Sequence, residues 1–163
     1  MKNTGFILML LLIAVCGNSQ NAAKKSISEI PAFKIMQTNG AYLQNKDLPR
    51  NKPVVIIYFS PNCDHCILLM DQLFPRLNEF KKASVLFVTF VDPRELIPFE
   101  KKYNTLAQPN IFVGSEGLAY TVKNFYRLEK TPFTAVYNKQ GKLLASYKKD
   151  TPVNDVIDIL KRL

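Results

Sequence analysis

The sequence predicts an α/β protein in which a mixed sheet is flanked by helices on both faces. Continuous runs of apolar residues, mostly β-branched and aromatic, at 54–59 and 85–91 are typical of strands that are covered on both sides, and residues 133–137 read as a further strand. Apolar residues with a period of about 3.6 residues predict helices after these strands. Strands and helices alternate along the first part of the chain, and a hairpin and a final helix follow. This order favours a mixed sheet.

The composition is that of one ordinary globular domain. The chain has 163 residues, of which 47% are hydrophobic and 21% charged. Its net charge of +9 comes from scattered basic pairs, without a long basic run or interleaved aromatic residues. This pattern favours a solvated basic surface, leaves attraction to anionic lipid headgroups as an alternative, and gives little support to nucleic-acid binding.

Residues 1–17 are predicted to be an export signal that directs the chain to the bacterial cell envelope or periplasm. Lys2 precedes an apolar run at 6–15, about half the length of a membrane-spanning helix. The stretch that ends at Cys16 resembles a lipoprotein signal, in which this cysteine would be lipidated, although Val15 replaces the usual small residue. Ordinary cleavage near residues 16–20 is the alternative. Residues 18–28 then read as a flexible tether, and 29–163 as one domain.

The first strand, at 54–59, is followed by a turn signal at 60–62 and a cysteine pair. From Cys66 the apolar residues recur with helical spacing, so we expect a helix to about Lys82. Pro75 removes one backbone donor inside this helix and should kink it.

The second half of the chain carries clear start and turn signals. Asp92 is predicted to cap a helix, with Pro93 at its first position, and this helix should end by about Leu106. A short strand at 111–113 and a mixed helical segment at 117–128 follow. Strands at 133–137 and 142–147 should form a hairpin. Thr151 is predicted to cap a last helix, with Pro152 at its first position.

The motif Cys63-Asp64-His65-Cys66 lies where the first strand meets a helix. Cys63 falls at the helix N-terminus, where unpaired backbone N–H groups favour a thiolate. Cys66 lies within helical reach and could attack a mixed disulfide formed at Cys63. His65 is predicted to stabilise the thiolate, whereas Asp64 opposes it with a negative charge. The motif therefore predicts redox-active cysteines.

Other roles for the cysteine pair are a zinc half-site or an inert structural disulfide. Zinc usually requires three or four protein ligands, and the chain has no second CxxC and no histidine besides His65. A hydrolase would have to use that same histidine, and no nucleotide-binding fingerprint is present. We therefore expect neither a resident metal nor a cofactor.

Across residues 30–163 the chain resembles the thioredoxin superfamily, in particular its TlpA-like and redoxin-like exported thiol-disulfide oxidoreductases. The resemblance rests on an opening hairpin at 30–48, the active-site stretch at 59–66, and a strand and hairpin at 131–143. It implies a thioredoxin-like fold, protein thiol and disulfide substrates, and a membrane redox partner. It also implies a cis-proline at Pro132, which with Thr131 would position an extended substrate peptide.

The chain departs from the family pattern at two positions. Asn62 replaces an aromatic residue before the first cysteine, and Ile57 replaces a buried acid that can assist proton transfer. Two alternative functions remain within the same fold: a copper-binding and delivery module, and a peroxiredoxin-like peroxidase. Copper modules usually have a wider cysteine spacing and a distant histidine, and such peroxidases have a PxxxTxxC arrangement.

Overall fold

The computed structural model describes residues 27–163. Its strands are β1 (Lys34–Met36), β2 (Tyr42–Gln44), β3 (Val54–Tyr58), β4 (Ser84–Thr89), β5 (Ile111–Ser115), β6 (Phe133–Tyr137) and β7 (Leu143–Lys148). Its helices are α1 (Asp64–Leu73), α2 (Ile97–Tyr103), α3 (Thr121–Tyr126) and α4 (Val153–Lys161). The predicted export signal, Cys16 and tether residues 18–26 lie outside the described residues. Within residues 27–163, no helix is long and apolar enough to cross a membrane.

The seven strands form one mixed sheet in the order β2-β1-β5-β4-β3-β6-β7. The central strand β3 is parallel to β4 and antiparallel to β6. Every residue of β3 is buried, as its continuous apolar run predicts. Helices α1, α2 and α4 contribute to the apolar cluster on one face, and α3 contributes to the cluster on the other. The predicted α/β fold with helices on both faces is confirmed.

The helix predicted to run to Lys82 is divided into two parts. The α-helix α1 ends at Leu73, and a 3-10 helix, Phe74–Phe80, follows it. Arg76, directly after Pro75, has the non-helical angles φ −112° and ψ 17°. The kink is thus confirmed, but the α-helix ends at Leu73 and the segment to Phe80 is a 3-10 helix, because Pro75 cannot donate the backbone hydrogen bond that would continue the α-helix.

Two predicted helix caps have different outcomes. The Asp92 carboxylate accepts a hydrogen bond from the Arg94 backbone N–H at 2.9 Å, which confirms this cap. The prediction for Thr151 is wrong, because Pro152 occupies the N-cap position and no side chain caps α4. The Thr151 hydroxyl instead hydrogen-bonds the buried Thr134 hydroxyl at 2.8 Å, so it links the start of α4 to the sheet.

The strand register defines two opposite ends of the sheet. Val54 of β3 pairs with Ser84 and with Tyr137, and Tyr137 pairs with Leu143; these residues mark the end that we call the basic end. Tyr58, at the other terminus of β3, marks the end that we call the dithiol end, because the cysteine motif follows it. Loops that emerge at the dithiol end therefore meet around Cys63.

Candidate active site

The cysteine motif begins α1, as its position after β3 predicts. Cys63 is the N-cap residue, with φ −100° and ψ 120°, and the helix starts at Asp64. The turn before it is closed by a hydrogen bond from the Cys63 N–H to the Ser60 carbonyl at 3.2 Å. Cys63 is partly exposed, whereas Cys66 is 1% exposed, and both are free thiols. One sulfur can therefore meet a partner while the other lies behind it.

A loop distant in sequence completes the site. The Thr131–Pro132 peptide bond is cis, as the family resemblance implied. The Cys63 thiol donates a hydrogen bond to the Thr131 carbonyl, with a sulfur–oxygen distance of 3.7 Å. The loop reaches this position because Pro132 directly precedes β6, whose Phe133 pairs with Tyr58 at the dithiol end.

The surroundings of Cys63 favour its thiolate. Partial burial raises the pKa of this thiol, but hydrogen bonds that stabilise the anion outweigh burial and hold the pKa below its ordinary value. The donors are the Cys66 thiol, the Thr131 hydroxyl and the backbone N–H groups of Cys66 and His65. The last two belong to the first turn of α1, where backbone donors lack helical partners.

Cys66 has the opposite electrostatics. Burial raises the pKa of its thiol to about 12, and its hydrogen bond to Cys63 adds to the effect. The two sulfurs are therefore distinguished both by exposure and by protonation. At neutral pH, Cys63 is the better nucleophile and Cys66 is a protonated hydrogen-bond donor.

The other residues singled out in the sequence, His65, Ile57 and Asn62, have no side-chain hydrogen bond to the Cys63 thiol. His65 is exposed, and the contact that lowers the Cys63 pKa comes from its backbone N–H, which any residue would supply. Tuning by the imidazole stays a prediction. Ile57 is fully buried in the apolar cluster that also contains Cys66. Asn62 is exposed at the rim of the site.

Two cavities flank the start of α1, and Ser60 lines both. The Cys63-side groove, about 310 Å³, is bounded by Tyr58, Phe90, Lys123, Thr131 and the residues just before Thr131. The Cys66-side cavity, about 230 Å³, is bounded by Phe59, Met70, Pro98 and Phe99, with Glu95 and Lys102 also lining it. The walls of these cavities cannot be predicted from the sequence, because helical spacing can place Phe99 on a buried face but does not determine which cavity it borders.

Comparison with known proteins places the architecture among thioredoxin folds. No family model and no curated protein matches the sequence. The fold is similar to that of an exposed lipoprotein thioredoxin from Streptococcus pneumoniae (TM-score 0.60, 20% identity, 81% of this chain and 99% of that chain). It is also similar to a secreted Mycobacterium tuberculosis disulfide oxidoreductase homologous to Escherichia coli DsbE (TM-score 0.66, 16% identity, 80% and 96%).

A third similar structure is Arabidopsis thaliana ScoI with copper bound (TM-score 0.63, 14% identity, 82% of this chain and 96% of that chain). At such identities the likeness concerns the fold alone, and the predicted thioredoxin-like fold is confirmed. Proteins with this fold therefore include both disulfide oxidoreductases and a copper-bound protein. Among residues 27–163, no group of three or more His, Cys, Asp and Glu side chains could hold a metal ion.

Proposed function

We propose that this chain is a thiol-disulfide oxidoreductase that exchanges disulfides with protein substrates in the bacterial cell envelope. One observation carries the proposal. The pKa values of the two thiols in the motif move in opposite directions: the thiol with the lowered pKa is partly exposed, and the thiol with the raised pKa is buried. A nucleophilic thiol must be accessible and readily deprotonated, whereas a resolving thiol stays protonated behind it until a mixed disulfide forms.

The proposed reaction has two exchange steps. The Cys63 thiolate attacks one sulfur of a substrate disulfide, forms a mixed disulfide and expels the other sulfur as a thiolate. The Cys66 thiol then gives up its proton, for which the expelled thiolate is a suitable acceptor, and its sulfur attacks Cys63. The second substrate sulfur leaves as a thiolate and is protonated from solvent. The substrate gains two electrons and the pair becomes a disulfide; the reverse sequence oxidises a substrate dithiol.

A loop beside Cys63 could position the substrate backbone. Thr131, which is joined to Pro132 by the cis peptide bond, borders Cys63, and the Cys63-side groove continues from Thr131 toward Lys130 and Glu129. We propose that an extended peptide lies along this loop and presents its sulfur to Cys63.

A membrane redox partner would restore the pair after each turnover. Residues 1–17 would direct export, with Cys16 either lipidated or removed; release of Cys16→Ser from membranes would support lipidation.

Trapping tests the redox function. In Cys66→Ser the mixed disulfide at Cys63 cannot be resolved, so envelope proteins should accumulate in covalent complexes that a reductant dissolves. Cys63→Ser is the matched control and should trap none. Absence of trapped partners in Cys66→Ser, together with no catalysed insulin reduction or refolding by the wild type, would contradict the proposal.

The copper-bound neighbour makes copper delivery the alternative to test. Delivery predicts that the purified protein binds stoichiometric Cu(I) through Cys63 and Cys66 and that both Cys→Ser variants lose it. A protein that cannot be loaded with Cu(I) but reduces insulin would exclude delivery in favour of disulfide exchange. Consumption of hydroperoxide that depends on Cys63 would instead indicate a peroxidase.

A further inference from the structure

Basic side chains collect at the basic end of the sheet, opposite the cysteine pair. Two exposed cations shortly precede β3 and two shortly precede β4, while others lie in the β6–β7 turn and at the end of α4. A hydrogen bond from the Lys139 ammonium group to the Leu163 carbonyl brings the turn and the end of α4 together. The set comprises Arg50, Lys52, Lys81, Lys82, Lys139, Lys142, Lys161 and Arg162.

Little of this positive charge is neutralised. Lys142 pairs with Glu29 at 2.8 Å, and Lys161 pairs with Glu79 at 3.2 Å. Glu79 is also bound by Arg76 at 2.7 Å, so its charge is shared. Within residues 27–163, Lys139 is bound to the Leu163 main-chain oxygen, and the other five cations of the set form no ion pair. The basic end therefore offers several solvated cations close together, which is what an anionic surface attracts.

The amino-terminal segment joins the domain at the same end. The Ile27 carbonyl accepts a hydrogen bond from the Tyr137 hydroxyl at 3.4 Å, and the Ser28 carbonyl accepts one from the Leu143 N–H at 2.9 Å. Glu29 forms a β-bridge with Lys142. Residues 1–26, with the predicted export signal and Cys16, are thus connected beside these cations. The dithiol lies beyond the far terminus of β3, whose four residue steps span about 13 Å.

We propose that the basic end docks on the anionic headgroups of a phospholipid bilayer and that the dithiol thereby faces away from the membrane. Charge complementarity and the point where the amino-terminal segment enters both favour a lipid surface over other occupants. Each lysine or arginine near an anionic bilayer strengthens partitioning about fivefold. The attraction falls within a Debye length, about 8–10 Å in physiological salt, so the cations of the dithiol end contribute less. The basic end contains neither cysteine, so its test is independent of the redox proposal.

Charge reversal at each end tests this orientation. The variant Lys52→Glu/Lys82→Glu/Lys139→Glu alters the basic end, and Lys123→Glu/Lys148→Glu/Lys149→Glu makes the same change in net charge near the dithiol end. The full chain and both variants are sedimented with vesicles of equal parts phosphatidylglycerol and phosphatidylcholine, and with phosphatidylcholine alone. Any contribution from residues 1–26 is common to all three proteins.

We expect the basic-end variant to lose at least about 100-fold of its preference for anionic vesicles, since three fivefold attractions are removed and three repulsive charges are added. In the control variant, the preference for anionic vesicles should fall by a factor at least ten times smaller than in the basic-end variant. Loss in the control within tenfold of that in the basic-end variant would overturn the proposal, because net charge alone would then explain binding. Preference for anionic vesicles in the wild type should also fall steeply with added salt.

A lysine footprint on the wild-type chain gives a second readout that needs no substitution. Acetylation with and without anionic vesicles, read by mass spectrometry, should show protection of Lys52, Lys81, Lys82 and Lys139. Lys148 and Lys149 should remain accessible. Equal labelling with and without vesicles would overturn the proposal. Preferential protection near the dithiol would overturn the orientation.

Discussion

Replacing Cys66 with Ala should slow alkylation of Cys63 about tenfold at a pH below the Cys63 pKa, whereas Cys66→Ser should keep a rate nearer that of the wild type. The reason is the hydrogen bond between the two sulfurs, which stabilises the Cys63 thiolate. Alanine removes the donor and serine retains one. Both substitutions remove the competing thiol, so the two variants differ mainly in this contact.

The size of the effect follows from the strength of a hydrogen bond to a charged group. A hydrogen bond to a charged group contributes about 1.5–3 kcal/mol, and Cys63 is partly exposed, so we take the lower end of that range. About 1.4 kcal/mol changes the ratio of thiolate to thiol tenfold. Below its pKa, the alkylation rate of Cys63 is proportional to the thiolate fraction, so it should fall by the same factor.

The assay is a pH series of iodoacetamide alkylation of the reduced protein, followed by mass spectrometry. The whole profile for Cys66→Ala should move to higher pH, and the plateau rate at alkaline pH should change little. Superimposable profiles for the alanine and serine variants would refute the view that the Cys66 donor lowers the Cys63 pKa. A lower plateau without a horizontal displacement would instead show that the substitution changed access to the sulfur.

Three further predictions concern other contacts. Thr131→Val removes a hydroxyl that stabilises the nucleophilic thiolate, so it should move the same alkylation profile to higher pH, and an unmoved profile would exclude that role. Asn110→Ala removes two buried hydrogen bonds to backbone carbonyls and should lower the free energy of unfolding by about 2 kcal/mol in urea titration, while exposed Asn78→Ala should leave it nearly unchanged. Gly114→Ala would place a methyl group 2.8 Å from the Ile35 Cδ1 atom and should lower the free energy of unfolding by about 2 kcal/mol. Adding Ile35→Val should recover part of this loss, and no recovery would show that the clash lies elsewhere.

Much of the fold could be predicted because the apolar patterns are local and strong. The run at 54–59 is continuous, and β3 is buried on both faces. The hairpin of β6 and β7 forms around the turn signal at 138–141. The main errors occurred at helix boundaries, where local signals compete with tertiary contacts. Thr151 could cap a helix by residue type, but its hydroxyl bonds Thr134 across the fold instead.

The candidate site shows the same division between local and distant information. The spacing of Cys63 and Cys66, and their place between a strand and a helix, were determined by the sequence because a helix start is a local structure. The contact of Cys63 with Thr131 depends on the pairing of β3 with β6, which lie more than seventy residues apart at their paired ends. The family resemblance implied the cis-proline at Pro132, but no local pattern predicts that Thr131 meets Cys63.

Local sequence patterns are enough to predict a mixed α/β chain with a cysteine pair at a strand-to-helix junction. Tertiary structure decided which thiol is protonated, because burial and the donors around each sulfur come from several elements. It also gathered basic residues that are scattered in sequence onto the end of the sheet opposite those thiols. Residue patterns and spacings predict structure only over short stretches of sequence. The pKa values and the surface charge depend on groups that are distant in sequence and that only the folded sheet brings together.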